Sequence, residues 1–261
     1  MRADVYLTEQ GYAPSRQRAR TLIEGGRVTV DGVTLTKPAQ SIGEGAHEVT
    51  VLDDLPYVGR GGLKLEAALD AFAIKASGLT ALDIGASTGG FTDCLLQRGA
   101  AHVYAVDSGS GQLAKRLLED PRVTAMERTN ARTLTSAQIG GAYVDLIVMD
   151  VSFISATYIL PQFPDLLTLG GRAVCLIKPQ FEVGRSMLGK GGVVKDPKAH
   201  RYAIDRVLSC ARSVGLTPTG LIASPVTGGD GNREFLVCLV KDETAEDKLS
   251  EQMVTSVIRN R

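Results

Sequence analysis

Short apolar segments alternate with helix-like stretches along most of the chain, and this alternation constrains the fold more than any other feature. It predicts strands at 80–84, 102–107, 144–150 and 173–178, with helices between them. Such alternation is typical of an open, mostly parallel α/β sheet of the Rossmann-like kind. A further helix begins at Asp196-Pro197 and ends at Gly215. LTPTGLIASPV and REFLVCLVK then follow with no helix between them, so we expect the last strand to be antiparallel.

The first 56 residues have the pattern of a separate small α+β domain. Ser15 is placed to cap a helix that Gly25-Gly26 ends, and RVTVDGVTL turns at Asp31-Gly32. Proline and glycines in the next segment, DDLPYVGRGG, indicate a domain boundary. We therefore expect a domain at 1–56, a linker at 57–62, a second domain at 63–242 and a polar tail with a weak helical pattern at 243–261.

The composition excludes several classes of protein. Lysine plus arginine and aspartate plus glutamate each total 29, so the net charge is zero and any nucleic-acid-binding face must be local. The four cysteines form no C-x-x-C pair, so we expect neither a metal site nor a disulfide framework. The charged start MRADVYLTEQG does not fit a signal peptide, and no apolar run approaches the roughly 18 residues that span a bilayer. These features predict a cytoplasmic protein with no membrane partner and leave its oligomeric state open.

The segment LDIGASTGGFTD, residues 82–93, places a glycine loop between a predicted strand and a helix. Its spacing, Gly85-x-x-x-Gly89-Gly90, is not the G-x-G-x-x-G of dinucleotide-binding loops, and no lysine follows Gly90 as in a P-loop. Asp107 ends the next strand 22 residues after Gly85, near the spacing of roughly 20 expected for a ribose-binding carboxylate. S-adenosylmethionine has a ribose and no phosphates, so the loop favours a methyltransferase over a dehydrogenase. The alternative is that the glycine loop binds no ligand and only allows the strand to pack on the helix.

Charged residues flank the apolar strands at what should be one edge of the sheet. Asp150 ends VDLIVMD, Lys178 ends AVCLIK, and Glu234 begins the last strand. An antiparallel last strand begins where the parallel strands end, so we expect these side chains at the carboxyl edge, where ligands of open α/β folds bind. Lys64, on the predicted helix LKLEAALDAF, can reach the same edge. Solvated ion pairs at strand ends are the alternative interpretation.

Two lysines and two carboxylates beside such a loop have a chemical use. A ribose 2′-hydroxyl is a poor nucleophile because it holds its proton tightly. A lysine near a second lysine, or partly removed from water, generally has a lowered pKa and can accept this proton. Carboxylates can orient the lysines and the hydroxyl, and methyl transfer is then an in-line displacement that depends mainly on positioning.

Six blocks occur in a fixed order and carry a family resemblance: GRGGLKLEAAL, DIGASTGGFTD, ERTNAR, DVSFIS, IKPQFE and GNREFL. Together they are similar to an FtsJ-type class I methyltransferase. The segment SRQRARTLIEGGRVTVDGVTLTKPAQSI is similar to an S4 RNA-binding domain. The combination resembles the TlyA-type family of hemolysin-like ribosomal RNA 2′-O-methyltransferases, from about Arg2 to Lys241.

The resemblance implies roles for residues at the matching positions. The family's catalytic Lys-Asp-Lys-Glu set falls on Lys64, Asp150, Lys178 and Glu234. Its cofactor-binding set falls on Gly85, Ala86, Ser87, Thr88, Gly89, Gly90, Phe91, Asp107, Asn130, Arg132 and Asp150. It further implies S-adenosylmethionine as cofactor and ribosomal RNA, in ribosomes or their subunits, as the partner methylated on ribose. The full S4 domain favours members with a broader range of sites.

Basic residues in both domains are the predicted RNA contacts. They are Arg16, Arg18, Arg20, Arg27, Lys37, Arg60, Arg185 and Lys190. A solvated surface is the alternative for the arginine-rich helix, and a surface loop for the last two. Phe153 and Phe181, each just after a predicted catalytic position, either stack on an unpaired base or pack as ordinary apolar residues.

Two other functions stay open. An RNA-binding protein whose α/β domain has lost catalysis predicts a broken Lys-Asp-Lys-Glu set, and all four residues are present. A hemolysin-like membrane-active protein is less favoured, since the sequence has no spanning segment or strongly amphipathic basic helix.

Overall fold

The chain folds into two units, residues 1–59 and 60–261, in a computed structural model that describes residues 1–43, 45, 47–51, 56–228 and 231–260. The division falls inside the predicted linker at 57–62. Residues 53–55 of the segment DDLPYVGRGG lie outside the described residues. Each unit has its own sheet and its own buried apolar core.

Two helices and a three-stranded antiparallel sheet form the N-terminal unit. Its elements are α1 (Ala3–Glu9), α2 (Arg16–Glu24), β1 (Val28–Val30), β2 (Val33–Thr34) and β3 (Val49–Val51), in the strand order β2-β1-β3. The predicted helix cap is confirmed, since the hydroxyl of Ser15 accepts a hydrogen bond from the Arg18 amide at 3.2 Å. Asp31 and Gly32 have φ angles of 51° and 76°, and two positive angles are what a type I′ hairpin requires. Apolar residues of α1, α2 and β1 share one core.

A seven-stranded sheet forms the centre of the C-terminal unit and confirms the predicted fold class. Its strands are β4 (Thr80–Ile84), β5 (His102–Val106), β6 (Val123–Met126), β7 (Val144–Met149), β8 (Leu167–Ile177), β9 (Thr217–Ala223) and β10 (Phe235–Val240). The strand order is β6-β5-β4-β7-β8-β10-β9, and β10 runs antiparallel to both of its neighbours, while the others are parallel. Nearly every residue of β4, β7 and β10 is buried, which explains their continuous apolar sequences.

Helices pack against this sheet in two groups. The helices are α3 (Gly61–Ala71), α4 (Gly90–Gln97), α5 (Lys115–Leu118), α6 (Pro179–Glu182), α7 (Pro197–Ser213) and α8 (Glu251–Arg259). α3 and α4 pack on each other and against β10, β4 and β5, whereas α7 and α8 pack on each other and against β9. The carboxylate of Asp196 caps α7 at the Lys198 amide, which confirms its predicted start. Among the described residues, no helix is both long and apolar enough to cross a membrane.

The segment between β7 and β8 differs from its prediction. The expected helix is wrong here, because the structure has 3-10 turns at Ala156–Tyr158 and Leu160–Asp165 instead. Pro161 and Pro164 remove amide donors that an α-helix would use. β8 begins at 167 and not at 173, since Gly170-Gly171 interrupts the apolar pattern from which a strand is predicted. The sequence also fails to predict β6, a short edge strand whose residues are exposed or half-buried.

The polar tail at 243–261 contains a regular helix. α8 buries Val254 and Ile258 and packs against α7 and β9. The guanidinium of Arg233 donates to the carbonyls of Val257 at 2.8 Å and Ile258 at 2.5 Å, at the end of this helix. The tail is therefore part of the C-terminal unit.

Candidate active site

The carboxyl edge of the sheet carries three of the four predicted catalytic residues. β7 and β8 are parallel and end next to Asp150 and Lys178. β10 runs antiparallel to β8, so Glu234, just before β10, lies at the edge where β8 ends. Lys64 comes from the start of α3, which packs against β10. The topology of the sheet therefore brings these residues together.

The four side chains form a continuous charged row, in the order Glu234, Lys64, Asp150, Lys178. Glu234 Oε2 lies 2.6 Å from Lys64 Nζ, which lies 4.0 Å from Asp150 Oδ2. Asp150 Oδ1 lies 2.6 Å from Lys178 Nζ, as an ion pair whose angles do not make it a hydrogen bond. Side-chain exposure is 2% at Glu234 and 20% at Asp150, so water reaches the row mainly at Asp150. The charges balance, and loss of one would leave its partner uncompensated in a largely buried place.

Ser152 and Gly228 support the charged row, and the sequence did not indicate either of them. Lys178 Nζ donates a hydrogen bond to Ser152 Oγ at 2.8 Å. A Cβ at Gly228 would lie 2.6 Å from Glu234 Oε1, so any larger residue here would displace this carboxylate oxygen. Only their nearness to predicted catalytic residues could have indicated them. Ser152 lies two residues after Asp150, and Gly228 lies six residues before Glu234.

The glycine loop touches the backbone of Asp150. Gly85 has a φ of +85°, and a Cβ there would overlap the carbonyl oxygen of Asp150. The Asp150 amide donates to the Ile84 carbonyl at 3.0 Å. Gly89 has a φ of +96°, and a Cβ there would overlap the side chain of Leu117. Both glycines are therefore required by backbone conformation and by space.

A cavity of about 410 Å³ opens beside the glycine loop. The predicted cofactor residues that line it are Gly85, Ser87, Asp107, Asn130, Arg132 and Asp150. Its volume falls in the range of roughly 300–1,000 Å³ that is usual for small-molecule sites. Among the residues that the structure describes, the rest of the predicted set does not line the cavity and forms the turn and the start of α4: Ala86, Thr88, Gly89, Gly90 and Phe91.

Asp107 presents a carboxylate of fixed orientation to the cavity. Its Oδ2 accepts from the Ser87 amide at 2.8 Å, and its Oδ1 accepts from the Gly109 amide at 2.7 Å. Each oxygen has a further lone pair, so the carboxylate can also accept hydrogen bonds from the hydroxyls of a ribose. This carboxylate, the close backbone approach at Gly85 and the size of the cavity fit S-adenosylmethionine.

Asp83 is a fully buried carboxyl next to the glycine loop. Its Oδ2 accepts from the Thr92 hydroxyl at 2.6 Å, and in the described part of the chain Oδ1 has no hydrogen-bond partner. Burial raises the pKa of Asp83 to about 7, and the carboxylates of Asp150 and Asp107 add to this rise. The group therefore keeps its proton to a much higher pH than an ordinary aspartate does.

Two aromatic rings lie beside the charged row. Phe153 is 92% exposed and has a φ of 64°, an uncommon conformation for a bulky residue. Its ring centroid lies 5.3 Å from that of Phe181, which lies 6.0 Å from Lys178 Nζ. Because so little of Phe153 is covered, ordinary packing does not account for its position.

The predicted RNA contacts are almost all exposed in the unit to which each belongs. Exposed residues are Arg16, Arg20, Arg27 and Lys37 in the N-terminal unit, and Arg60, Arg185 and Lys190 in the C-terminal unit. Arg18 is half-buried. Arg16 also pairs with the buried Asp4 at 3.3 Å, a partner that it shares with Arg2. Arg16 and Arg20 line one groove on α2.

Comparison with known proteins gives the family. Residues 57–241 match the FtsJ-like methyltransferase family, and residues 1–47 match the S4 domain. The chain is 47% identical over 239 residues to the 16S/23S rRNA (cytidine-2'-O)-methyltransferase TlyA of Mycobacterium tuberculosis, covering 91% of this chain and 89% of that protein. A solved structure of a hemolysin-named protein from Streptococcus thermophilus has a TM-score of 0.81 at 39% identity, covering 99% of this chain and 94% of that one. A second hemolysin-named structure, from Lactococcus lactis, has a TM-score of 0.75 at 46% identity and covers 79% of this chain and 98% of its own.

The fold and the site define the class as an S-adenosylmethionine-dependent methyltransferase with a Rossmann-like sheet. More particularly, the chain belongs to the FtsJ-like methyltransferase family and carries an S4 domain before its methyltransferase domain. The family, the fold class and the cofactor predicted from the sequence are confirmed.

Proposed function

We propose that this protein transfers a methyl group from S-adenosylmethionine to a ribose 2′-hydroxyl of ribosomal RNA. The observation that carries the proposal is the charged row from Glu234 to Lys178, placed next to the cavity beside the glycine loop. The name of the Mycobacterium tuberculosis relative, a cytidine-2'-O-methyltransferase, supports the same acceptor atom. A ribosomal substrate also entails a cytoplasmic location.

The charged row can accept the proton that the hydroxyl loses during methyl transfer. S-adenosylmethionine, when bound, supplies a methyl group on a sulfonium, and the sulfur keeps the electron pair of the broken bond. As the hydroxyl oxygen bonds to the methyl carbon, its proton passes to Lys64 or Lys178, after that lysine has given its own proton to solvent. Asp150 lies between the two lysines and orients both, while Glu234 holds Lys64.

The intact charged row supports an enzyme over an RNA-binding protein without catalysis. A buried row of four charges is costly unless every member has its partner. Each of the four has an opposite charge within 4.0 Å. A domain kept only for binding would have no need of this arrangement.

The remaining features support RNA as the substrate. The S4 domain carries arginines on α2, and basic side chains can bind backbone phosphates. Phe153 offers an exposed ring beside the charged row, and single-stranded bases stack on such rings.

The direct test is transfer of a labelled methyl group to ribosomes and isolated subunits from a strain that lacks the gene. We expect the unmodified protein to label ribosomal RNA on a ribose 2′-oxygen, identified by mass spectrometry of the nucleosides. Lys178→Ala should lose nearly all transfer, because the row loses an ammonium next to Asp150. Lys198→Ala, which removes an exposed lysine of α7, is the matched control and should retain activity.

Two results would contradict the proposal. Undiminished transfer by Lys178→Ala would remove that lysine from the mechanism. Absence of transfer to ribosomes and to both subunits would favour a protein that binds RNA without modifying it.

A further inference from the structure

Asn232 is a buried polar residue that joins a surface loop to the segment before β10. The residue as a whole is 1% exposed. The Oδ1 atom accepts from the Val194 amide at 2.9 Å, and Nδ2 donates to the Gly192 carbonyl at 3.2 Å. Both ends of the amide are thus bonded to the backbone of one loop, which we name the Lys190 loop (189–194).

The Lys190 loop has a fixed shape. The Gly189 amide donates to the Val193 carbonyl at 3.0 Å, and a Cβ at Gly189 would lie 2.7 Å from that oxygen. The Nε2 atom of His200 lies 3.0 Å from the Val194 carbonyl oxygen. Burial lowers the pKa of His200, so its neutral ring can donate this hydrogen bond at neutral pH. The loop therefore presents the exposed Lys190 from a defined position.

The backbone of Asn232 is bonded to Gly228, and Gly228 lies against the carboxylate of Glu234. The Asn232 carbonyl accepts from the Gly228 amide at 2.8 Å. A Cβ at Gly228 would lie 2.6 Å from Glu234 Oε1, so this backbone lies directly against the carboxylate. The other oxygen of Glu234 lies 2.6 Å from Lys64 Nζ. A displacement of Asn232 is therefore transmitted to Glu234 and through it to Lys64.

We propose that Asn232 is a positioning residue that couples the Lys190 loop to Glu234. The inference rests on the proposed function, in which Lys190 contacts a phosphate of the RNA. An RNA that holds Lys190 then also fixes Glu234 through Asn232, so binding of the substrate and alignment of the charged row occur together. Among the described residues that line the cofactor cavity, neither Asn232 nor Lys190 is present, so affinity for S-adenosylmethionine should not depend on them.

The test is a double-mutant cycle with Asn232→Ala and Lys190→Ala. We measure kcat and KM for the ribosomal substrate, and Kd for S-adenosylmethionine by calorimetry. Lys190→Ala should raise the RNA KM several-fold with little change in kcat. Asn232→Ala should raise the same KM and also lower kcat by about tenfold, because a misplaced Glu234 no longer holds Lys64. Lys195→Ala, which removes an exposed lysine next to the loop, is the control.

The double variant separates coupling from general damage. We expect its RNA KM to equal that of the more affected single variant, and its kcat to equal that of Asn232→Ala. Additive effects on KM, an unchanged kcat in Asn232→Ala, or a loss of cofactor affinity in step with activity would each overturn the proposal.

Hydrogen exchange of the protein alone gives a readout that needs no activity. Asn232→Ala should speed exchange of the Val194 amide at a temperature well below the melting point, while amides of β4 stay protected. Unchanged exchange at Val194 would refute the tie between Asn232 and the loop. If the unmodified protein transfers no methyl group, the proposed function fails, and this measurement still decides whether Asn232 holds the loop.

Discussion

At the scale of single residues, Asp150 is where the cofactor cavity and the charged row meet. Its backbone carbonyl lies against Gly85, and its carboxylate lies between the two lysines. In the proposed mechanism, the methyl donor and the proton acceptor are thus positioned by atoms of one residue. Small errors in its position should affect both functions, because positioning supplies much of the rate in a displacement of this kind.

Ser152→Ala tests how far the position of Lys178 matters. Lys178 would keep its ion pair with Asp150 but lose its well-aligned hydrogen bond of 2.8 Å. We expect kcat to fall by about tenfold, since a hydrogen bond to a charged group contributes roughly 1.5–3 kcal/mol. Single-turnover methylation measures this, and the Kd for S-adenosylmethionine is measured beside it because Ser152 also lines the cavity. Ser213→Ala removes one hydrogen bond on α7 as a control, and an equal loss in both variants would contradict the expectation.

Asp83 predicts a specific dependence of stability on pH. The carboxyl titrates near 4 in the unfolded chain and at about 7 in the folded protein, because burial favours the neutral form. The folded state therefore binds the extra proton between these values, and the contribution of Asp83 to stability is fully present below pH 4 and lost as the pH rises through 7. Above pH 7 the lost contribution amounts to roughly 4 kcal/mol.

Asp83→Asn should remove this part of the pH dependence. The free energy of unfolding of the cofactor-free protein is measured by urea denaturation between pH 5 and 8. The difference in free energy of unfolding between the unmodified protein and the variant should shift in favour of the variant from pH 5 to about 7 and level off above it. If the free energies of unfolding of the two proteins change in parallel with pH, Asp83 has the same protonation in the folded and unfolded states.

At the scale of elements, the sequence predicts those strands that are buried along most of their length. β4, β7 and the end of β8 are buried apolar runs, and β5 is largely so, so both the strands and the charges at their ends can be predicted from the sequence. β6 and the turns between β7 and β8 are exposed or contain proline, and no periodic pattern marks them. Ser152 and Gly228 are defined by contacts with Lys178 and Glu234, and such contacts exist only after folding.

The glycine loop gives a prediction at this scale. Gly85→Ala forces a Cβ into the backbone of Asp150 in addition to straining a φ of +85°. Gly111→Ala is the matched control, since its φ is +68° and nothing lies within 4 Å of its Cβ position. We expect Gly111→Ala to cost about 1 kcal/mol of stability, and Gly85→Ala to cost more and to lower cofactor affinity by at least about tenfold. Thermal melting and calorimetry measure both quantities. Equal effects of the two variants would indicate that the contact with Asp150 is relaxed without cost.

At the scale of the whole molecule, a net charge of zero gives no overall attraction for a polyanion. The row at the sheet edge balances its own charges, so it contributes no overall attraction for a polyanion. Attraction for RNA must then come from local groups such as the exposed arginines of α2. Binding of RNA and binding of the cofactor should therefore respond separately to salt and to mutation.

Arg16→Ala combined with Arg20→Ala tests this separation. Both arginines line one groove on α2, and Asp4 keeps Arg2 as a partner when Arg16 is removed. If each arginine neutralises a phosphate, the slope of log affinity for ribosomal RNA against log salt concentration should become shallower by about 1.4–1.8. Affinity for S-adenosylmethionine should not change, because the cavity that fits it is lined by residues of the C-terminal unit.

The matched control removes two positive charges from another part of the surface. Lys75→Ala with Arg172→Ala changes residues that line a groove near the amino ends of β4 and β7, away from the charged row. Titrations over a range of salt concentrations compare the two double variants. An equal change of slope in both would mean that RNA responds to total charge, and an unchanged slope in the α2 variant would exclude its arginines from phosphate binding. A smaller slope only in the α2 variant, with weaker binding at every salt concentration, would assign the phosphate contacts to α2, because release of counterions depends on the number of phosphates neutralised.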